Sequence, residues 1–297
     1  MKRLSVIQRF GVFTGLFIVL SAAGVIWLKS GKPAPSVAAK PVIAASFYPL
    51  YDMTRTIGGE DVTVTSITPS GAEPHDFEPA ADQLAAINQA AGFVYVGGVL
   101  EPWADKYAAT QPTRLLQILP DATDDAHFWL DPQLVAEDVV PKITTLLQMI
   151  DPANATVYAS RANQYVGDLK QLDADFKSGL AQCRSRTIIT SHDAFRYLAK
   201  RYNLEEVPIA GVSPEAEPDA ASLAELTALV KEKAVTTIFF ETLVSSRLAD
   251  TIAKETGAQT AVLDPIEGIA NEDQSQTSYI DLQRSNLDSL RRGLACQ

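Results

Sequence analysis

The chain contains three histidines, and each one follows a short strand-like run rich in aliphatic or β-branched residues. His75 lies in "GAEPHDFEPA" after "DVTVTSIT", His127 in "DDAHFWLDP" after "RLLQIL", and His192 in "TSHDAF" directly after "RTIIT". In open α/β sheets, ligands bind beyond the carboxyl ends of the strands. Because all three histidines take this position, we interpret them as parts of one site rather than as three separate structural side chains.

A metal ion is the partner that such histidines suit best. Neutral imidazole is a common ligand for borderline metals, and three imidazoles with one carboxylate form a tetrahedral site suited to Zn²⁺. The carboxylates at strand ends in the second half are Asp264 in "VLDPIEG" and Glu241 in "FFETL". We expect Asp264 to be the fourth ligand, since Pro265 ends the strand, and Glu241 to be a supporting or structural group.

Other acidic residues stand next to the histidine motifs. Asp76, Asp131 and Asp193 are candidates to accept hydrogen bonds from the imidazoles and orient them, although each could equally cap a helix or a turn. Manganese is a harder ion that prefers oxygen, so its sites would replace one histidine with a carboxylate. His192 therefore favours zinc, with manganese as the alternative.

The elements around these motifs predict an α/β fold. Strand-like runs alternate with helix-length segments, which predicts parallel sheets with helices on both faces. One helical face runs through the middle of the chain, and its apolar residues are Tyr158, Tyr165, Leu169, Leu172, Phe176 and Leu180. This spacing predicts a single long helix from about residue 154 to 182. Pro141 should kink or split the helical segment before it.

The two halves resemble each other, which indicates a weak internal duplication. "ITPSGAEPHDFEPAADQLAAI" is matched by "IAGVSPEAEPDAASLAEL", and "WLDP" is matched by "VLDP". We therefore predict two similar lobes, each a parallel sheet flanked by helices. The first lobe spans residues 41–150, the interlobe backbone helix 151–183 and the second lobe 184–297.

The N-terminal segment has a different composition from the rest. Residues 1–32 contain basic residues at their start and the apolar run 10–28, which is long enough to span a bilayer. We favour an uncleaved membrane anchor over a signal peptide, with residues 33–40 as a linker and the remainder exported to the periplasm or another extracytoplasmic space.

Charge and cysteine content agree with an exported protein. The chain of 297 residues has a net charge of −11, and residues 33–297 carry 20 basic against 36 acidic groups, a net of −16. Such a body would repel nucleic acid. Cys183 and Cys296 are an even pair in a compartment that permits disulfides, so we expect a bridge between them.

The motifs together resemble a known family. "PHDFEP", "HFWLDP", "TSHDAFRYLAKRYNL", "GVSPEAEPD", "TIFFE" and "LDPIEG" are similar to segments of the solute-binding proteins of zinc and manganese ABC importers, of the ZnuA and TroA type (cluster A-I). The resemblance implies one metal ion held between two lobes that a rigid backbone helix joins. Its ligands would be His75, His127, His192 and Asp264. It also implies a monomer without enzymatic activity that delivers Zn²⁺ to a membrane permease.

Two departures from the family pattern and two rival functions remain. A long His-rich loop is missing before His127, and an apparent anchor replaces the usual cleaved or lipid-anchored end.

A zinc hydrolase is one alternative, with Glu73 or Glu215 as general base. A protein that uses its metal only structurally, such as an anchored adhesin or sensor, is the other.

Overall fold

A computed structural model describes residues 39–110, 114–118, 125–214, 218–270 and 276–297. Residues Lys40–Gln297 form one compact unit. The predicted anchor at 1–32 and most of the predicted linker lie outside the described residues. Within the described ranges, no helix is both long enough and apolar enough to cross a membrane.

The first lobe is built on a parallel sheet of four strands in the order β2-β1-β3-β4. The strands are β1 (Val42–Ala45), β2 (Thr63–Ser66), β3 (Gly92–Tyr95) and β4 (Leu115–Gln117). The helices of this lobe are α1 (Tyr48–Gly58), α2 (Ala81–Gln89), α3 (Pro102–Ala108), α4 (Pro132–Leu134) and α5 (Val140–Ile150). A π-helical turn at Val135–Val139 separates α4 from α5, and Pro141 lies in the first turn of α5. The helical segment is therefore continuous but locally widened just before Pro141, whose missing N–H removes one helical hydrogen bond.

The second lobe repeats the same arrangement in the order β6-β5-β7-β8. Its strands are β5 (Thr187–Thr190), β6 (Glu205–Pro208), β7 (Thr237–Phe240) and β8 (Gln259–Val262), again all parallel. Its helices are α7 (Arg196–Tyr202), α8 (Ala220–Glu232), α9 (Arg247–Thr256) and α10 (Tyr279–Gly293). Two parallel sheets flanked by helices confirm the predicted fold class, and the common strand order is what an internal duplication requires.

The long helix α6 (Ala155–Gly179) connects the two lobes. At 1.5 Å per residue, its 25 residues span about 38 Å. It packs against α1 and α5 of the first lobe and against α10 of the second. The apolar face that the sequence predicts is buried along its whole length, from Tyr158 to Leu180. Burial against both lobes fixes the helix as a structural backbone.

One continuous apolar core extends through both lobes, from Ile43 in β1 to Leu294 after α10. Hydrogen bonds also cross between the lobes. The Trp129 indole N–H donates to the Pro265 carbonyl at 2.7 Å, and the Tyr279 backbone N–H donates to the Asp52 carboxylate at 2.9 Å. In this arrangement the two lobes share one packed core, and sliding or opening them would expose part of it.

The C-terminus is tied to the start of the second lobe. Cys183 and Cys296 form a disulfide, which confirms the predicted pairing. Beside it, the guanidinium of Arg186 donates to the carbonyls of Leu180, Tyr202 and Asn203. These carbonyls lie at the C-terminal ends of α6 and α7, where a cation is favoured by the helix dipole. Arg186 and the disulfide together hold the end of the long helix in place.

Candidate metal centre

Four side chains converge between the two sheets: His75, His127, His192 and Glu267. The Nε2 atom of His127 lies 3.4 Å from that of His75 and 3.3 Å from that of His192. The Glu267 Oε1 atom is 2.7 Å from His127 Nε2, 3.4 Å from His75 Nε2 and 3.3 Å from His192 Nε2. All four side chains are buried, with 4% or less of each exposed.

These separations suit a tetrahedral zinc ion. Zinc binds histidine nitrogen at about 2.0–2.1 Å, which places the ligand atoms of a tetrahedron about 3.3–3.4 Å apart. Four of the five measured separations fall at 3.3 or 3.4 Å, and the shorter 2.7 Å separation joins His127 to Glu267. A small cation could therefore be bound by four ligands with little movement of the side chains.

His75 is positioned by the loop that follows β2. It lies in a 3₁₀ turn at Pro74–Asp76, and its backbone N–H donates to the Glu73 carboxylate at 3.3 Å. Gly71 has a φ of +77°, a conformation that favours glycine, and its N–H donates to the Ile269 carbonyl at 2.9 Å. The loop that carries His75 is therefore bonded directly to the loop that carries Glu267.

His127 is held by a neighbour two residues before it. The Asp125 Oδ1 atom accepts from both the backbone N–H of His127, at 2.9 Å, and its ring Nδ1, at 2.7 Å. The Trp129 ring lies 5.1 Å from the imidazole, centroid to centroid. With Nδ1 bound to a carboxylate, Nε2 is the nitrogen that faces the other ligands, which is the arrangement common in zinc sites.

His192 follows β5 and is oriented by a residue from the next strand in the sheet. Its Nδ1 atom lies 2.7 Å from Oε1 of Glu241, directly after β7. Glu241 is 3% exposed, so this bond is shielded from water. Glu241 thus lies beside the His192 imidazole and outside the group of four converging side chains.

The structure places Glu267, and not Asp264, with the three histidines, which corrects the expected fourth ligand. The Asp264 carboxylate accepts from the Ile266 N–H at 2.7 Å and from the Thr242 hydroxyl at 3.1 Å. Ile266 has a φ of +58°, which is uncommon for a β-branched residue and reverses the chain. Asp264 is thereby used to close a turn, and the turn brings Glu267 to the centre.

The three other aspartates expected to orient the imidazoles have different surroundings. Asp131 accepts from two backbone N–H groups at the start of α4 and pairs with Arg201, and Asp193 pairs with Arg196. Asp76 is exposed, whereas the acceptors that reach the imidazoles are buried. Sequence reasoning missed Asp125 and Glu267. Asp125 lies in "DDAHFWLDP" and Glu267 in "LDPIEG". Their position within these two motifs was the signal that could have identified them.

Hydrogen bonding, not burial, sets the charge state of the centre without its metal. Burial lowers the pKa of His192, but its bonds to Glu241 and Glu267 outweigh this and raise the pKa to about 11. The same competition raises the pKa of His127, where Asp125 and Glu267 are the acceptors. Burial raises the pKa of Glu267, yet the imidazole bonds hold it well below its usual range. A cation that binds here must therefore displace protons.

Comparison with known proteins agrees with this geometry. The family model described as "Zinc-uptake complex component A periplasmic", ZnuA, matches residues 43–293. The high-affinity zinc uptake system protein ZnuA of Bacillus subtilis is 35% identical over 95% of this chain and 96% of its own length. The zinc-binding lipoprotein AdcA of Streptococcus pneumoniae is 34% identical over 84% of this chain, which spans only 55% of that protein.

Solved structures show the same fold. The laminin-binding protein Lmb of Streptococcus agalactiae, described as having adhesin and metal-transporting activity, superposes with a TM-score of 0.79 at 36% identity, covering 86% of this chain and 99% of that one. The Zn(II)-bound ZnuA-like domain of Streptococcus pneumoniae AdcA gives a TM-score of 0.76 at 35% identity, covering 86% and 99%. With a family model that matches most of its length and relatives that share both its fold and a third of its residues, the chain belongs to the ZnuA family.

Proposed function

We propose that this protein captures Zn²⁺ outside the cytoplasmic membrane and delivers it to the permease of an ABC importer. The observation that supports this most directly is the buried group of three Nε2 atoms and one carboxylate oxygen, which all lie within 4.8 Å of one another, with Oε1 of Glu267 at 2.7–3.4 Å from each of the three nitrogens. A set of three imidazoles and one carboxylate binds zinc in preference to harder ions such as Mn²⁺. The ligands are His75, His127, His192 and Glu267.

The same geometry favours binding without catalysis. A catalytic zinc keeps an open position for water, whereas four protein ligands close a tetrahedral site. Glu73, one base that a hydrolase could use, accepts the backbone N–H of His75, and Glu215 lies outside the described residues. A zinc-loaded protein whose spectra respond to exchangeable water or to added anions would argue for an open site and for the hydrolase.

The fold does not need the metal to form its core. Apolar side chains from both lobes pack into one cluster that includes α6, and the disulfide adds a covalent link. We therefore expect the protein to keep a cooperative thermal transition after treatment with a chelator. Loss of that transition would favour a structural role for zinc.

The descriptions of the relatives support a proposal for the partner and the location. The matched family is described as a periplasmic component of a zinc-uptake complex, and the pneumococcal relative as a lipoprotein. We infer an extracytoplasmic monomer, held at the membrane by its N-terminal segment, that docks onto a permease. Uptake of ⁶⁵Zn by cells that lack the gene, with and without a plasmid copy, tests this role.

Metal counting tests the binding step. The full chain, purified in detergent and stripped with chelator, should bind one Zn²⁺ per chain that excess Mn²⁺ does not displace. His192→Ala is the matched variant without a ligand and should lose tight binding while keeping its fold. Equal or stronger binding of Mn²⁺ would overturn the choice of metal, and uptake measurements would then have to identify the transported ion.

A further inference from the structure

One face of α10 carries three polar side chains into the interior of the protein. They are Tyr279, Gln283 and Asn286, whose spacings of four and three residues place them on the same side of the helix. All three are buried, with 2% or less of each exposed. Burying a polar side chain is unfavourable unless it is hydrogen-bonded, so the bonding partners indicate what these residues do.

Asn286 holds the backbone at the start of the loop that carries Glu267. Its Oδ1 atom accepts the Asp264 N–H at 2.8 Å, and its Nδ2 atom donates to the Asp264 carbonyl at 2.6 Å. The preceding residue, Leu263, still donates its N–H to the Phe240 carbonyl of β7. Asn286 thus pairs with the backbone where β8 ends, and it fixes the point from which the chain turns towards Glu267.

Tyr279 and Gln283 hold the segment that carries His127. The Tyr279 hydroxyl and the Gln283 amide both donate to the Trp129 carbonyl, the amide at 3.3 Å. Trp129 follows His127 by two residues, and its indole N–H donates to the Pro265 carbonyl in the loop after β8. One helix face is therefore bonded to two segments that each carry a metal ligand, and these segments are also bonded to each other.

We propose that this face of α10 is a positioning surface that sets the separation between His127 and Glu267, and thereby the tetrahedral geometry that selects zinc. The inference rests on the proposed function. His127 and Glu267 lie far apart in the sequence, yet the shortest of the measured separations in the centre, 2.7 Å, joins them. Ligands that are held rigidly discriminate between ions of different preferred geometry, whereas flexible ligands adapt to either. The positioning surface acts through the backbone atoms of Trp129 and Asp264.

Cobalt can report this geometry directly. Co²⁺ absorbs visible light strongly in a tetrahedral site and weakly in a five- or six-coordinate one, so its spectrum distinguishes a change of geometry from a change of stability. The full chain in detergent, stripped with chelator, is titrated with Co²⁺ and, in separate experiments, with Zn²⁺ and Mn²⁺. Thermal melts of the same samples measure stability.

Three variants separate positioning from packing. Asn286→Leu keeps a side chain of similar size but removes both bonds to the Asp264 backbone. Tyr279→Phe removes a single hydroxyl and leaves the bond from Gln283 in place, so it tests the surface even where the first variant does not fold. Leu287→Ala is the control, because Leu287 is a buried apolar residue of the same helix.

Asn286→Leu should weaken the visible absorption of bound Co²⁺ and lower the zinc affinity by about 10- to 100-fold, as for other groups that orient zinc ligands. The affinity for Mn²⁺ should fall less, because that ion does not require a tetrahedral site. Tyr279→Phe should give a smaller change in the same direction. Leu287→Ala should lower the melting temperature and leave the cobalt spectrum and the zinc affinity unchanged.

Two results would overturn the positioning surface. One is a cobalt spectrum of wild-type shape and intensity in the folded Asn286 and Tyr279 variants, even if their stability fell. The other is an equal spectral change in Leu287→Ala, since any loss of packing in α10 would then be sufficient. A wild-type chain that binds no zinc would instead refute the proposed function.

Discussion

Replacing Glu267 by glutamine should weaken zinc binding by more than about 100-fold, or about 2.8 kcal/mol. Its Oε1 atom lies 2.7–3.4 Å from the three Nε2 atoms, in direct reach of a bound ion. Loss of a group that only orients a zinc ligand typically reduces affinity by about 10- to 100-fold, so loss of the charged ligand itself should exceed that range. The neutral amide that replaces it is a weak ligand for zinc.

The matched variant is Asp264→Asn, which also removes one carboxylate from the same loop. The amide oxygen of Asn can still accept the Ile266 N–H, and its NH2 group can donate to the Thr242 hydroxyl, so the zinc affinity of this variant should fall by less than about tenfold. Competition with a chromophoric zinc chelator at fixed pH measures both variants on one scale. A larger loss for Asp264→Asn than for Glu267→Gln would refute the assignment of Glu267 and restore the expectation from sequence.

Four further outcomes follow from the structure. The pKa of His192 is raised to about 11 without metal, so zinc binding at pH 7 should release at least one proton. The zinc affinity should therefore fall as the pH is lowered. Calorimetry in buffers of different ionisation enthalpy counts the protons that are released. The same raised pKa stabilises the metal-free fold fully below pH 6.5, and this contribution is lost as pH rises toward 11, which chemical denaturation at several pH values would detect. Glu241→Gln should reduce zinc affinity by about 10- to 100-fold without unfolding the protein, and an unchanged affinity would argue against its support of the imidazole. The double change Cys183→Ser and Cys296→Ser removes the disulfide between residues that are 113 positions apart in the sequence. The free energy of unfolding, measured in urea, should fall by about 2–5 kcal/mol. An unchanged value would show that packing alone holds the C-terminus.

The sequence predicted the elements well because their signals are local. Each of the three strand-like runs that precede a histidine contains a strand, namely β2, β4 and β5. The seven-, four- and three-residue spacings from Tyr158 to Phe176 form one long buried helical face. The three histidines were also accessible from sequence. Each follows a strand, and in parallel sheets the carboxyl ends of neighbouring strands meet at one edge.

The sequence by itself thus determined the fold class, the presence of the strands that precede the histidines, and three of the four side chains at the centre. Only the tertiary structure decided which carboxylate joins them. Asp264 stands nearer to the end of β8, but its bond to the Ile266 N–H closes a turn in which Ile266 takes a positive φ. That backbone reversal depends on packing of the fully buried Ile266 and on the bond from Trp129 to the Pro265 carbonyl, 136 residues apart in the chain. Contacts between residues so distant have no local signature, so the choice of Glu267 could be made only by the folded protein.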